Sequence, residues 1–188
     1  MTATQFPSVT ETTAPTVTPL TVAQCRPMMR LPSTETGHDD ELESLLKAAR
    51  DKLQDDTGIT LINTTYTQEQ PCFDEPIQLT RRPVSSITSI KYYDTANSQQ
   101  TLSTDVYELD TQRQQIVLKP DQVYPAIYDR WDAIEIIYVA GYGAAATDVK
   151  AVFQRMLILL MRYDFDGDDF HLTAYESLLG NYLRHSYP

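Results

Sequence analysis

The 188 residues carry 26 Asp+Glu against 15 Lys+Arg, a formal net charge of −11, with 41% hydrophobic residues, 11 Pro, 6 Gly and 2 Cys. At roughly 150 residues per domain the length suggests one unit with appendages, and the surplus negative charge opposes a broad nucleic-acid-binding surface, whose affinity would come from Lys and Arg displacing phosphate counterions. Cys25 and Cys72 are too few for a disulfide framework or a four-cysteine zinc site and read as thiols of a reducing compartment, while the longest apolar run, Met156 to Met161, falls far short of the ~20 residues of a membrane span. With no basic-then-apolar leader pattern at the N-terminus, a soluble protein that is not exported is expected.

Residues 1–19 hold seven Thr and three Pro among scattered single apolar residues. Such a composition buries too little surface to offset chain entropy, so this stretch is expected to be a flexible or extended arm, either ordered by a neighbour or an inert solvated tail, and its loss is expected to spare the fold. Thr21 and Gln24 have capping-box spacing and predict a short helix through Arg30, which Pro27 bends or breaks. After the turn-rich Pro32 to His38, Asp39 or Asp40 is expected to cap an amphipathic helix whose stripe is Leu42, Leu45, Leu46, Ala49 and Leu53, with Gly58 placed to end it.

From Ile59 to Ala140 the period becomes two and the punctuation becomes Pro, Asn and Asp. Predicted strands are Leu61 to Thr67, Ile77 to Leu79, Ile87 to Tyr93, Val106 to Leu109, Gln115 to Leu118 and Ile134 to Val139, with loops at Asp94 to Gln99 and Pro120 to Trp131. Thr147 is then expected to cap a second long helix, apolar on several faces from Val149 to Met161. An Asp-rich break at Asp164 to Asp169 leads to a last helix from about Leu172 to Arg184. Helices at both ends of a central antiparallel β module make an α+β fold, expected to pack the N- and C-terminal helices as a small bundle.

Three local patterns invite chemical readings. Gly141-Tyr-Gly143 between a strand and a helix resembles a dinucleotide-binding turn, but no second parallel strand with an acidic residue follows, so tight turning is the better reading. Asp164-Phe-Asp166-Gly167-Asp168-Asp169 resembles the start of a calcium loop. Its Gly stands fourth instead of sixth, and Tyr175 occupies the twelfth position where a bidentate Glu belongs, which favours a solvated interhelix loop. His38, His171 and His185 form no zinc-ligand pattern, and no hydroxyl nucleophile sits in an activating context. No catalytic, metal or cofactor residues are therefore expected.

Tyrosine supplies large contact area with a polar tip, and the chain has twelve. Interface residues are expected in the arm at Thr12, Pro15 and Val17, at the basic pair Arg81 and Arg82, for which a wet loop is an equal reading, and at Tyr124, Tyr128, Tyr182, Arg184 and Tyr187, where half-buried packing of the tyrosines is at least as common.

Several segments, in order, resemble one family. These are Leu20-Thr-Val-Ala-Gln-Cys-Arg26, the helix from Asp39 to Arg50 ending near Gly58, and Leu79-Thr-Arg-Arg-Pro-Val-Ser-Ser-Ile-Thr-Ser-Ile-Lys-Tyr-Tyr-Asp94. Val106-Tyr-Glu-Leu-Asp110, Ile134-Glu-Ile-Ile-Tyr-Val-Ala-Gly-Tyr142 and the apolar helix from Val149 to Tyr163 follow. Together they look like the head-to-tail connector, or adaptor, proteins of tailed bacteriophages, with Pro27 and the long Thr/Pro arm departing from the usual pattern. The likeness covers about Leu20 to Tyr163, with a weaker echo in the final helix, and fits the division read from the residues: an arm over 1–19 and a single connector domain over 20–188, with helices over 20–58, a β module over 59–140 and helices over 147–188. It further implies a non-enzymatic virion protein that assembles in the host cytoplasm into a ring of twelve copies at the neck. Its partners would be copies of itself, the portal protein and a stopper or tail-completion protein, with double-stranded DNA passing through unbound and no membrane involved. The alternatives are a stopper or tail-completion protein itself, a non-viral binding module with a β core, and, last, an enzyme.

Overall fold

The computed structural model describes residues 7–183 and resolves them into two compact units, where the length suggests one. Among the described residues one unit takes 7–15 and 63–141 and the other 16–62 and 142–183, so the chain is shared between them in alternating stretches. Among those residues every strand falls in the first unit and every α-helix in the second.

The strand unit holds a five-stranded antiparallel sheet in the order β1-β2-β8-β4-β5 and a three-stranded sheet β3-β7-β6. Its strands are β1 Ser8–Thr13, β2 Thr64–Gln70, β3 Ile77–Gln78, β4 Val84–Tyr93, β5 Gln99–Thr101, β6 Tyr107–Asp110, β7 Gln115–Leu118 and β8 Ile134–Ala140. The central strands β2 and β8 alternate strictly between buried and half-buried positions, which the period-two reading anticipates. Their pairing sets Tyr66 opposite Tyr138 and Gln68 opposite Ile136, and β4 adds Ile90 opposite Ile136 and Val84 opposite Ala140. These side chains form one core with Ile77, Ile116 and Tyr107 of the smaller sheet.

Two polar residues belong to that core. Gln68 and Gln70 are buried, and Gln68 spends its amide fully: Nε2 donates to the Gln78 carbonyl at 2.9 Å and to Gln70 Oε1 at 3.2 Å, while Oε1 accepts from the Thr80 N–H at 3.0 Å. A buried amide is tolerated only when its groups are paired, and here the pairing ties β2 to the β3 segment.

Ser8–Thr13 is the main departure from the sequence reading, which foresees an extended or flexible arm and no strand. It pairs in register with β2 from Ser8 opposite Glu69 to Thr13 opposite Thr65, with an irregularity between Glu11 and Thr13. The ladder of backbone hydrogen bonds, not side-chain burial, supports it, since only Val9 of its six residues is even partly buried. Gln99–Thr101, an equally polar edge strand, was also not foreseen.

The helical unit contains α1 Val22–Met28, α2 Asp39–Thr57, α3 Ala151–Asp166 and α4 Asp169–Leu179. Thr21 and Gln24 close the expected capping box, and Pro27 ends α1 within its last turn, short of Arg30. The helix α2 begins at Asp39 with His38 at the N-cap position and no capping side chain. Asp39 does not cap because its carboxylate is held by Arg26, Nε to Oδ1 at 2.8 Å and Nη2 to Oδ2 at 2.5 Å. Gly58 stops α2 in the left-handed conformation, φ 67°, as its position predicts.

Leu42, Leu46, Ala49 and Leu53 of α2 pack with Phe153, Met156, Leu157, Leu160 and Met161 of α3 and with Tyr175 of α4 in a second core, the expected small bundle. Two starts differ from expectation. Thr147 lies in a 3₁₀ turn, Ala146–Asp148, and α3 begins only at Ala151, because Asp148 turns its carboxylate to the Ala145 N–H at 2.9 Å. The aspartate-rich stretch is also less of a break than its composition suggests. The helix α3 runs through Asp164 and Asp166, Gly167 ends it at φ 68°, and the Asp168 side chain caps α4 by accepting from the Phe170 N–H at 3.0 Å. Of these carboxylates Asp168 serves a helix end and Asp166 faces Arg162 Nε at 3.8 Å, and among the described residues no group of three or more His, Cys, Asp or Glu could hold a metal ion.

Candidate assembly surfaces

The residues singled out for contact divide by environment. Thr12 is exposed at the irregular point of β1, with Oγ1 2.7 Å from Thr67 Oγ1, and Pro15 and Val17 follow in the segment leading to the helical unit, Val17 being 39% exposed. Arg81 and Arg82 are half-buried: Arg81 donates its N–H to Tyr138 Oη at 3.1 Å and lays its guanidinium 5.9 Å from the Tyr66 ring centre. A cis peptide joins Arg82 to Pro83. The basic pair is thus built into the strand unit instead of standing in a wet loop.

Tyr124 stacks on Phe73 with ring centres 4.2 Å apart and planes 1° from parallel, and burial, reinforced by the nearby Glu75 charge, pushes its hydroxyl up to about 12. Tyr182 packs edge-on against Phe153 at 4.9 Å in the helical unit. Both are half-buried aromatics packed against a core, which is the bland role their residue type also fits. Arg184 and Tyr187 lie outside the described residues.

Tyr128 remains as an exposed aromatic, 43% accessible, with its N–H donating to the Tyr93 carbonyl at 2.9 Å. Beside it stand two residues that sequence reasoning passed over. Trp131 is 57% exposed, and Arg130 is fixed from three sides. Its Nε and Nη2 reach both oxygens of Asp132 at 2.5 and 2.7 Å, its Nη1 reaches Asn97 at 3.2 Å, and its carbon Cζ lies 3.8 Å from the Tyr93 ring centre. The fork holds the Asp132 carboxyl below the usual carboxylate range, the hydrogen bond being the largest cause. Arg130 therefore pins the turn after β4 to the segment before β8 and sets Tyr128 and Trp131 on a rigid support, the arrangement that interface anchors favour. The only sequence signal was the Arg-x-Asp spacing beside three aromatic residues, which without the fold says nothing of Tyr93 or Asn97.

The strand-to-helix turn has no features of a cofactor cradle. Gly141 adopts φ 143° and donates its N–H to the Pro83 carbonyl at 2.8 Å. A Cβ on Gly143 would stand 2.1 Å from Asp148 Oδ2, so this glycine is required by close packing of the turn on its own carboxylate.

No family model matches the chain, and no curated protein matches it either. Solved structures do. A chain in the virion of a native gene transfer agent (GTA) particle superposes with a TM-score of 0.77 at 20% identity, over 96% of this chain and 97% of that one. The two chains share one fold. A chain in the neck of an empty GTA particle, computed with C6 symmetry, gives a TM-score of 0.72 at 22% identity, covering 85% of this chain and 84% of its own length. A chain in the neck of a native GTA particle, computed with C12 symmetry, gives 0.70 at 18% identity over 96% and 97%. A likeness spanning nearly the whole of both chains means that both compact units, not a shared module within one of them, have counterparts in those particles.

Proposed function

We propose that this chain is a structural protein of a virion neck, forming a ring that joins the portal at the head vertex to the tail. The observation that carries the reading is the near end-to-end likeness to a chain of a GTA virion and to chains of GTA necks, two of which were treated with sixfold and twelvefold symmetry. Twelve copies is the number proposed here.

Charge fits the same role. A ring whose subunits each carry −11 would border its channel with repulsion and let a polyanion slide without sticking, the reverse of a basic groove. The protein is proposed to work by shape and contact, without bond-making. In support, the buried polar side chains Thr57, Gln68 and Gln70 each donate a hydrogen bond to a backbone carbonyl, those of Leu53, Gln78 and Cys72, as structural groups do.

The test is the mass of the purified chain with and without the portal protein, measured by native mass spectrometry or sedimentation. A closed oligomer that forms on the portal supports the reading. A chain that stays monomeric and unattached beside an assembled portal overturns it.

A further inference from the structure

The strand β1 is joined to the sheet in an unusual way. It pairs with β2 along its length, yet the chain between them leaves the strand unit, builds α1 and α2 in the helical unit, and returns only at Asn63. The covalent path from β1 thus leads away from the strand it pairs with. Its side chains add little to that backbone ladder. Five of the six are exposed, Val9 alone packs against the core, and the side-chain hydrogen bonds to β2 are Thr12 Oγ1 with Thr67 Oγ1 at 2.7 Å and Thr10 Oγ1 donating to the Thr67 carbonyl at 3.5 Å. The segment 14–19 that follows contains Pro15 and Pro19, which lack an amide N–H and so cannot extend the ladder, and it bends at Thr16, Val17 and Pro19.

The geometry points to exchange of β1 between copies: in the assembled protein, Ser8–Thr13 of one chain pairs with β2 of a neighbouring chain, in the register seen here within one chain. The occupant and its seat are both defined by the structure, because the swapped ladder would repeat the closed one bond for bond, from Ser8 opposite Glu69 to Thr13 opposite Thr65. Exchange then costs only what the connecting segment changes, and within an assembly the neighbour's β2 is present at high effective concentration. Each exchanged strand would stitch one copy to the next through backbone hydrogen bonds that need no apolar patch, which suits a strand of Ser, Val, Glu and Thr. The inference rests on the self-assembly proposed above.

Separate chains bearing Thr12→Cys and Thr67→Cys, each in a Cys72→Ser background, test it. The two hydroxyl oxygens stand 2.7 Å apart, so cysteines there lie within bonding reach after small rotations. The variants are mixed one to one under denaturing conditions, refolded together, assembled and oxidised, then read on a non-reducing gel beside their assembled mass. Exchange predicts a covalent heterodimer containing about half of the chains, the share random mixing allows. It also predicts that the double variant, with both cysteines in one chain, forms covalent ladders once assembled. Assembly at full mass with no heterodimer, while the double variant closes only within its own chain, overturns the exchange and leaves the ring standing. Absence of any oligomer with no heterodimer overturns both. The pair Thr13→Cys and Thr65→Cys, opposite each other in the same ladder, repeats the test if the first pair fails to fold.

Discussion

Tyr175 offers a measurement of what holds the last helix on the bundle. It is 1% exposed in α4, and its hydroxyl donates to Asp56 Oδ2 of α2 at 2.7 Å, while Lys52 Nζ reaches the same oxygen at 3.0 Å. Burial, then the Asp56 partner, pushes the tyrosine hydroxyl well above its ordinary range, so it stays protonated and donating. Tyr175→Phe keeps the ring and removes one hydrogen bond to a charged acceptor, worth about 1.5–3 kcal/mol. The Asp56 side chain is 27% exposed and keeps Lys52, so the freed carboxylate is rehydrated and the low end applies, about 1–2 kcal/mol. For a chain of this size that lowers Tm by roughly 2–8 °C. All α-helices lie in the helical unit, so urea melts followed by far-ultraviolet circular dichroism report on the substituted part, and Trp131 fluorescence reports on the strand unit as an internal control. A double-mutant cycle with Asp56→Asn should show coupling of about 1 kcal/mol at unchanged m. Strict additivity, or a Tyr175→Phe melt that overlays the parent, would refute the claim that this bond fastens α4 to α2.

Other substitutions probe the remaining elements. Phe153→Ala empties a fully buried site and removes ring contacts to Tyr142 and Tyr182, which should cost about 3–5 kcal/mol by denaturant melts and leave Trp131 fluorescence the last signal to change. Gly143→Ala drives a methyl into the Asp148 carboxylate and should lower Tm, whereas the same change paired with Asp148→Ala should recover most of the loss. Asp39, Asp94, Asp110 and Asp132 all have carboxyls held below their ordinary range: Asp39 and Asp132 chiefly by hydrogen bonds from Arg26 and Arg130, Asp94 and Asp110 chiefly by the Ser98 and Arg113 backbone N–H groups. Depressed values in the folded state stabilise it above the unfolded carboxylate pKa, so that contribution is present at neutral pH and lost as pH falls below about 4. Thermal melts should show Tm flat near neutrality and falling in acid, with a shallower fall in Asp94→Asn.

What could be read from sequence followed the apolar pattern. Leu42, Leu46, Ala49 and Leu53 declare α2 by spacing and Gly58 ends it, while Ile134, Ile136 and Tyr138 declare the central strand by alternation. Where backbone pairing or a satisfied amide does the work, that pattern is silent. Ser8–Thr13 and Gln99–Thr101 are edge strands with almost nothing buried, and Gln68 sits in the core because distant Gln78 and Thr80 complete its hydrogen bonds. Aspartates misled for a related reason: their composition signals a loop, but Asp164 and Asp166 continue a helix and Asp168 begins the next. Among the contact residues, residue type alone could not separate Tyr128, which is exposed, from Tyr124 and Tyr182, which are packed, nor could it find Arg130, whose partners lie 37 and 33 residues away at Tyr93 and Asn97 as well as next door.

The alternating use of the chain by its two units has a consequence at the ribosome. The apolar stripe of α2 is synthesised long before its cover, since α2 ends at Thr57 and α3 starts at Ala151. At ~5–20 residues per second that face waits roughly 5–20 s for α3, with only α1 and the neighbouring Ile59, Leu61 and Ile62 of the same core already made. Nascent chains of this protein should therefore depend on holding factors that shield exposed leucines, and a stall in the strand-coding stretch of the message should send more of the product to aggregation than a stall near either end.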